Sequence, residues 1–198
     1  MASILVVCTG NVCRSPLAEG FLREVLGARS TSSSIDVTSA GTMGWDGSSA
    51  DPLSVEAGIE RGIDISGHVA RGFSTSDVRE ADLVLGMAPE HVAAVIHDVP
   101  DAEHKAFTLK GFVRLLEALP PAGSGDPGAV LVVRVLDADA LRRSGFEGDP
   151  GDDDIVDPLG RPLDVFRSVA AELDEWCGRL ADGLFGRAPA QTSSSNGD

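Results

Sequence analysis

Cys8, Arg14 and Ser15 stand at the spacing that a nucleophile and its anion clamp require, inside the stretch V-V-C-T-G-N-V-C-R-S-P from Val6 to Pro16. Five residues separate the cysteine from the arginine. That is enough for a loop to curl until the guanidinium faces the sulfur, where its planar fork holds two oxygens of a phosphate-like anion. A thiol ringed by inward-pointing N–H groups, beside a helix N-terminus and a guanidinium, is expected to ionise below its free value of about 8.5 and to act as a nucleophile at neutral pH. Ser15 is placed to donate a hydrogen bond to that sulfur when it leaves. Gly10 and Asn11 are residue types that tolerate the left-handed backbone angles of such a curl.

A loop of this kind has to leave a strand and enter a helix. Ile4, Leu5, Val6 and Val7 read as a buried strand, and Pro16 is expected to open the helix, where its missing N–H has no partner to lose. Unpaired N–H groups and the positive end of the helix dipole then converge on the loop and make an anion pocket. Thr9, Gly10, Asn11, Val12, Cys13 and Ser15 are accordingly candidate phosphate-binding residues. Further strands are expected over 35–39, 83–86 and 106–109. Helices are expected from Pro52 to about Gly62, over 74–81, over 110–119 and over 163–184, the last two with apolar residues at helical spacing. The alternation predicts an α/β fold, a three-layer sandwich whose central four-stranded parallel sheet carries the loop at its carboxyl edge, after strand 1.

Composition narrows the function. A chain of 198 residues is long enough for one domain with a real core, and its formal charge of −15 argues against nucleic acid or an anionic membrane as partner. Arg14 and backbone dipoles must therefore make any phosphate pocket locally positive. The three cysteines, at 8, 13 and 177, have no metal or disulfide-framework spacing, and the four histidines are scattered, so no metal and no cofactor is expected. No apolar run is long enough to span a membrane. The N-terminus lacks the pattern of a secretory signal, and a cytoplasmic location is expected.

The loop C-T-G-N-V-C-R-S-P resembles the phosphate-binding loop of the low-molecular-weight protein-tyrosine phosphatases, a family that includes protein-arginine phosphatases and arsenate reductases. Two more segments carry the resemblance. Ser39-Ala40-Gly41 followed by Trp45 is similar to a strand end and an aromatic that walls the family's site. R-G-I-D-I-S-G-H-V-A-R, residues 61–71, is similar to a segment whose histidine joins a hydrogen-bond network fixing the loop. The resemblance implies that His68, Asn11, Ser15 and Ser39 form that network and that Trp45 borders the substrate slot.

It also implies a general acid on an Asp-Pro loop before the last helix. Asp51, Asp126, Asp149 and Asp157 each precede proline. Asp157, in I-V-D-P-L-G, matches the family's loop, with Asp154 the second candidate; Asp152, Asp153 and Asp154 are expected to help it hold a proton by like-charge repulsion. The implied function is hydrolysis of phosphotyrosine in proteins through a phosphocysteine at Cys8, held by Arg14. Two alternatives stay open. F-T-L-K at 107–110 also resembles the protein-arginine phosphatases, and Val12 does not decide between the two substrates. Arsenate reduction would need further thiols, of which only Cys177 remains downstream; a protective Cys8–Cys13 disulfide is a family feature. Leu159 stands where the family usually has an aromatic, which thins one wall of the slot. Residues 1–186 are expected to form one domain with an insertion at about 120–154, and 187–198 a disordered tail.

Overall fold

In the computed structural model, which describes residues 2–29, 35–43, 45–146 and 152–187, β1 (Ala2–Cys8) is a central strand of a fully parallel sheet. Its partners are β2 (Ile35–Gly41) on one side and β3 (Leu83–Gly86) on the other, with β4 (Ala106–Thr108) at the far edge. The β-branched and leucine side chains of β1 alternate between two cores. Ile4, Val6 and Cys8 face one cluster, and Leu5 and Val7 face the other. Burial on both faces explains why β1 and β3 show no polar alternation.

The first face is covered by α1 (Arg14–Arg29), α5 (Leu109–Ala118), α6 (Pro127–Arg143) and α7 (Leu163–Phe185), through Leu17, Leu22, Phe112, Leu116, Leu131, Val135, Phe166, Leu173 and Leu180. The second face is covered by α3 (Thr75–Glu80), α4 (Pro89–Asp98) and a 3₁₀ turn over Pro100–Lys105, through Val78, Val95 and Ala102. α2 (Pro52–Ile59) packs beside α7. This is the expected three-layer α/β arrangement.

Register brings the site together. Cys8 pairs with Gly41 and Val7 with Gly86, so β1, β2 and β3 all end at one edge. Two local differences have physical causes. α1 begins at Arg14, two residues ahead of Pro16, because proline is tolerated anywhere in a first turn whose N–H groups have no intrahelical acceptor. The apolar segment 130–141, open between helix and strand on its sequence, is helix α6, started by an Asp126 side chain that accepts the Ala129 N–H. Buried Arg134 binds it to its neighbours by donating to the carbonyls of Leu116, Pro120 and Gly183. The serine-rich segment 30–34, Asp149 and the tail from 188 onward lie outside the described residues.

Candidate active site

The loop from Cys8 to Arg14 is held in its curl by its own asparagine. Asn11 is fully buried and has φ of 56°, the only positive value for a non-glycine among the described residues. Asparagine reaches that region at less cost than other side chains. Its Nδ2 donates to Ser15 Oγ at 2.9 Å and Ser39 Oγ at 2.8 Å, and its Oδ1 accepts the Arg71 N–H at 3.0 Å. His68 Nε2 donates to the Asn11 backbone carbonyl at 2.8 Å. The four residues named from sequence thus converge, with the histidine holding the main chain and the backbone of Arg71 completing the set. Gly41 leaves room for the loop: a Cβ there would lie 2.7 Å from the Thr9 carbonyl oxygen.

Cys8 ends β1 and is buried, with its sulfur 2.9 Å from Ser15 Oγ in the first turn of α1. The sulfur therefore stands within hydrogen-bond reach of a hydroxyl at the N-terminus of that helix. Arg14 is also buried. Its Nη1 donates to the Ile155 carbonyl at 3.1 Å, and its Nη2 reaches Thr9 Oγ1 at 3.3 Å and Asp157 Oδ2 at 2.7 Å. The Asp157 side chain is 48% exposed, so this ion pair adds little to stability, about 1 kcal/mol at most. Its consequence is positional: an acid from the far end of the chain stands at the mouth of the loop. Asp157 Oδ1 accepts the Leu159 N–H at 3.1 Å, a turn that Pro158 stiffens.

Two of the other Asp-Pro aspartates use their carboxylates as helix caps. Asp51 and Asp126 accept N–H groups at the starts of α2 and α6. Of the neighbouring aspartates, Asp152 pairs with Lys110 and Asp153 with Arg114. Asp154 has its carboxyl pushed up by burial and by Glu90, but it does not border the slot over Cys8. That slot is bordered by Val12, Cys13, Trp45, Asp157 and Leu159. The Trp45 indole lies on Gly10, where a Cβ would come within 3.0 Å of it.

Two residues of the site were given no role on the sequence alone. His91, at the start of α4, is buried with Nε2 at 3.0 Å from Thr9 Oγ1, while its Nδ1 has no partner among the described residues. Burial, helped by the Arg14 charge, pushes its pKa down to about 4, so it is a neutral neighbour of the loop. Ile155 fixes the acid loop by donating its N–H to the Met87 carbonyl at 2.8 Å. Cys13 and Cys177 are free and buried, and burial pushes the Cys13 thiol up to about 12 and the Cys177 thiol upward as well.

Similarity to known proteins agrees with this geometry. The family described as low molecular weight phosphotyrosine protein phosphatase matches residues 3–119. The low molecular weight protein-tyrosine-phosphatase Etp of Escherichia coli (strain K12) is 38% identical over 119 residues, 60% of this chain and 76% of that protein. The protein-arginine-phosphatase of Geobacillus stearothermophilus is 31% identical over 183 residues, 91% of this chain and 95% of its own length. Among solved structures, the low molecular weight protein tyrosine phosphatase from T. tengcongensis superposes with a TM-score of 0.67 at 32% identity, over 93% of this chain and 100% of that one.

Proposed function

The chain belongs to the low molecular weight phosphotyrosine protein phosphatase family, and from that premise we propose that it hydrolyses phosphotyrosine in proteins by way of a phosphocysteine at Cys8. The observation that supports this most is the Asp157 carboxylate 2.7 Å from Arg14, at the mouth of the loop that holds the sulfur. In the first step the Cys8 thiolate attacks phosphorus and the P–O bond to the leaving group breaks. The departing oxygen takes the electron pair and the Asp157 proton. Arg14 and the loop N–H groups hold the equatorial oxygens. A phosphoryl group competes with Asp157 for Arg14 Nη2, which frees the carboxyl to reach the leaving oxygen. In the second step Asp157 takes a proton from water, the water oxygen bonds to phosphorus, and the S–P bond breaks. Orthophosphate leaves, and Ser15 Oγ, 2.9 Å from the sulfur, stabilises the departing thiolate.

The reading gives Asn11, Ser39 and His68 the task of keeping the loop curled, Thr9 to Cys13 the task of binding phosphate, and Trp45 that of bordering the slot. It takes residues 1–186 as one catalytic domain and a phosphorylated protein or small phosphoester as the partner. A cytoplasmic setting suits three free thiols. Protein-arginine phosphatase activity is the second reading. It is favoured by similarity to a protein of that name over 91% of the chain, and by Leu159 where an aromatic would grip a phenyl ring. Arsenate reduction is disfavoured, because Cys177 lies under α1, its sulfur 3.9 Å from the Ala18 carbonyl oxygen, too deep to carry a disulfide outward.

The test is turnover of 4-nitrophenyl phosphate, a phosphotyrosine peptide and phosphoarginine by wild type, Cys8→Ser and Asp157→Ala. Turnover of the phosphotyrosine peptide, lost in Cys8→Ser and reduced in Asp157→Ala, is expected. Preference for phosphoarginine would install the second reading. Thiol-dependent consumption of arsenate with no phosphatase turnover would overturn both.

A further inference from the structure

Lys110, the second residue of α5, is 1% exposed, although lysine is among the residue types least often buried. Its Nζ meets Glu172 Oε1 on α7 at 2.6 Å and Asp152 Oδ2 at 2.9 Å. Two carboxylates would suffice to compensate the buried charge. A third bond goes instead to main chain: Nζ donates to the Asp154 carbonyl at 2.7 Å. The next residue, Ile155, is held at both ends, its N–H on the Met87 carbonyl at 2.8 Å and its own carbonyl accepting from Arg14 Nη1 at 3.1 Å. Residues 154–155 are therefore tied to α5, to the end of β3 and to the phosphate loop. Asp157 lies two residues further on, half exposed, its carboxylate held among the described residues by Arg14 and the Leu159 turn alone.

We propose that Lys110 is the positioning residue of the general acid: its bond to the Asp154 carbonyl sets where Asp157 stands over Cys8, and so how efficiently the leaving oxygen is protonated. Lys110 does not touch substrate. The inference rests on the reading of Asp157 as the acid, and a leaving-group comparison separates the two. Phenol is a far poorer leaving group than 4-nitrophenol, so phenyl phosphate depends on the acid much more strongly.

kcat/KM is measured on both esters for wild type, Asp157→Asn and Lys110→Met, together with inhibition by inorganic phosphate. Asp157→Asn is expected to lose about 10²–10⁴-fold on phenyl phosphate and much less on 4-nitrophenyl phosphate. Lys110→Met is expected to show the same asymmetry, losing about tenfold more on phenyl phosphate than on the nitro ester, with inorganic phosphate inhibiting as in wild type. Equal losses on the two esters, or weakened phosphate inhibition, would mean a general defect of the fold and overturn the proposal. Asymmetry absent from Asp157→Asn itself would overturn the acid assignment, a result readable without the lysine variant. Should Lys110→Met not fold, Glu172→Gln removes one of the two carboxylates on Nζ at a partly exposed site and carries the same test. It is expected to show a smaller asymmetry of the same sign, and its absence overturns the proposal.

Discussion

Replacing Asn11 by alanine removes a fully buried side chain that makes three hydrogen bonds and also occupies a left-handed backbone position. Each bond contributes about 1 kcal/mol net, and more where a buried partner is left unpaired. The alanine also has to hold φ near 56°, which costs a Cβ-bearing residue about 1–2 kcal/mol. Together these amount to about 4 kcal/mol, a large share of the ~5–15 kcal/mol that stabilises a domain. At about 2–4 °C per kcal/mol for a chain of this size, melting should fall by about 10 °C. Ser39→Ala, which removes one of the three bonds, should cost about 1 kcal/mol. Activity should fall further than stability in Asn11→Ala, because the curl that faces Arg14 toward Cys8 is what the asparagine maintains. Thermal and urea unfolding give the first quantity; turnover well below the melting point gives the second. A stability loss under about 1.5 kcal/mol, or a folded variant with wild-type kcat, would refute the reasoning about the loop.

His91 is held neutral by burial, its pKa pushed from 6.5 down to about 4. The unfolded chain therefore binds a proton between those values that the folded chain does not. Stability contributed by this group is present above pH 6.5 and lost as pH falls toward 4, by about 3 kcal/mol at the acid end. His91→Gln should flatten the acid limb of stability against pH by that amount, as read by urea unfolding; an unchanged limb would contradict the assignment. Burial pushes Cys13 up to about 12 and Cys177 upward, so iodoacetamide at neutral pH should label Cys8 in preference to either, and inorganic phosphate should protect it. Peptide mass spectrometry reads the site of label, and labelling of Cys13 ahead of Cys8 would oppose this account of the loop.

The elements most legible in the sequence were those whose pattern is local. β1 and β3 are apolar runs, and the terminal helix repeats its apolar residues at helical spacing from Leu163 to Leu184. The convergence of Asn11, Ser15, Ser39 and His68 was reachable only through a resemblance, because 57 positions separate His68 from its asparagine. Three features depend on tertiary packing and left no local signal. The 3₁₀ turn at Pro100–Lys105 is too short for a periodic pattern. Segment 130–141 is apolar on both helical and strand templates, and only its docking beside α5 and α7 through Leu131 and Val135 decides for helix. Lys110 sits in a run, F-T-L-K-G-F-V, where a lysine reads as the solvent-facing residue of an amphipathic helix. Its burial is intelligible only once Glu172 and the Asp154 carbonyl are brought to it from elsewhere in the chain. Asp152 and Asp153 are likewise held by Lys110 and Arg114, cations that no local pattern links to them.

In the proposed reaction the phosphoryl group passes through the sulfur of Cys8. Rapid acid quench of the wild-type protein during turnover of 4-nitrophenyl phosphate, followed by peptide mass spectrometry, tests it most directly. Phosphate is expected on the peptide that contains Cys8, at that residue, and none in Cys8→Ala. Phosphate on another residue, or turnover persisting in Cys8→Ala, would contradict it.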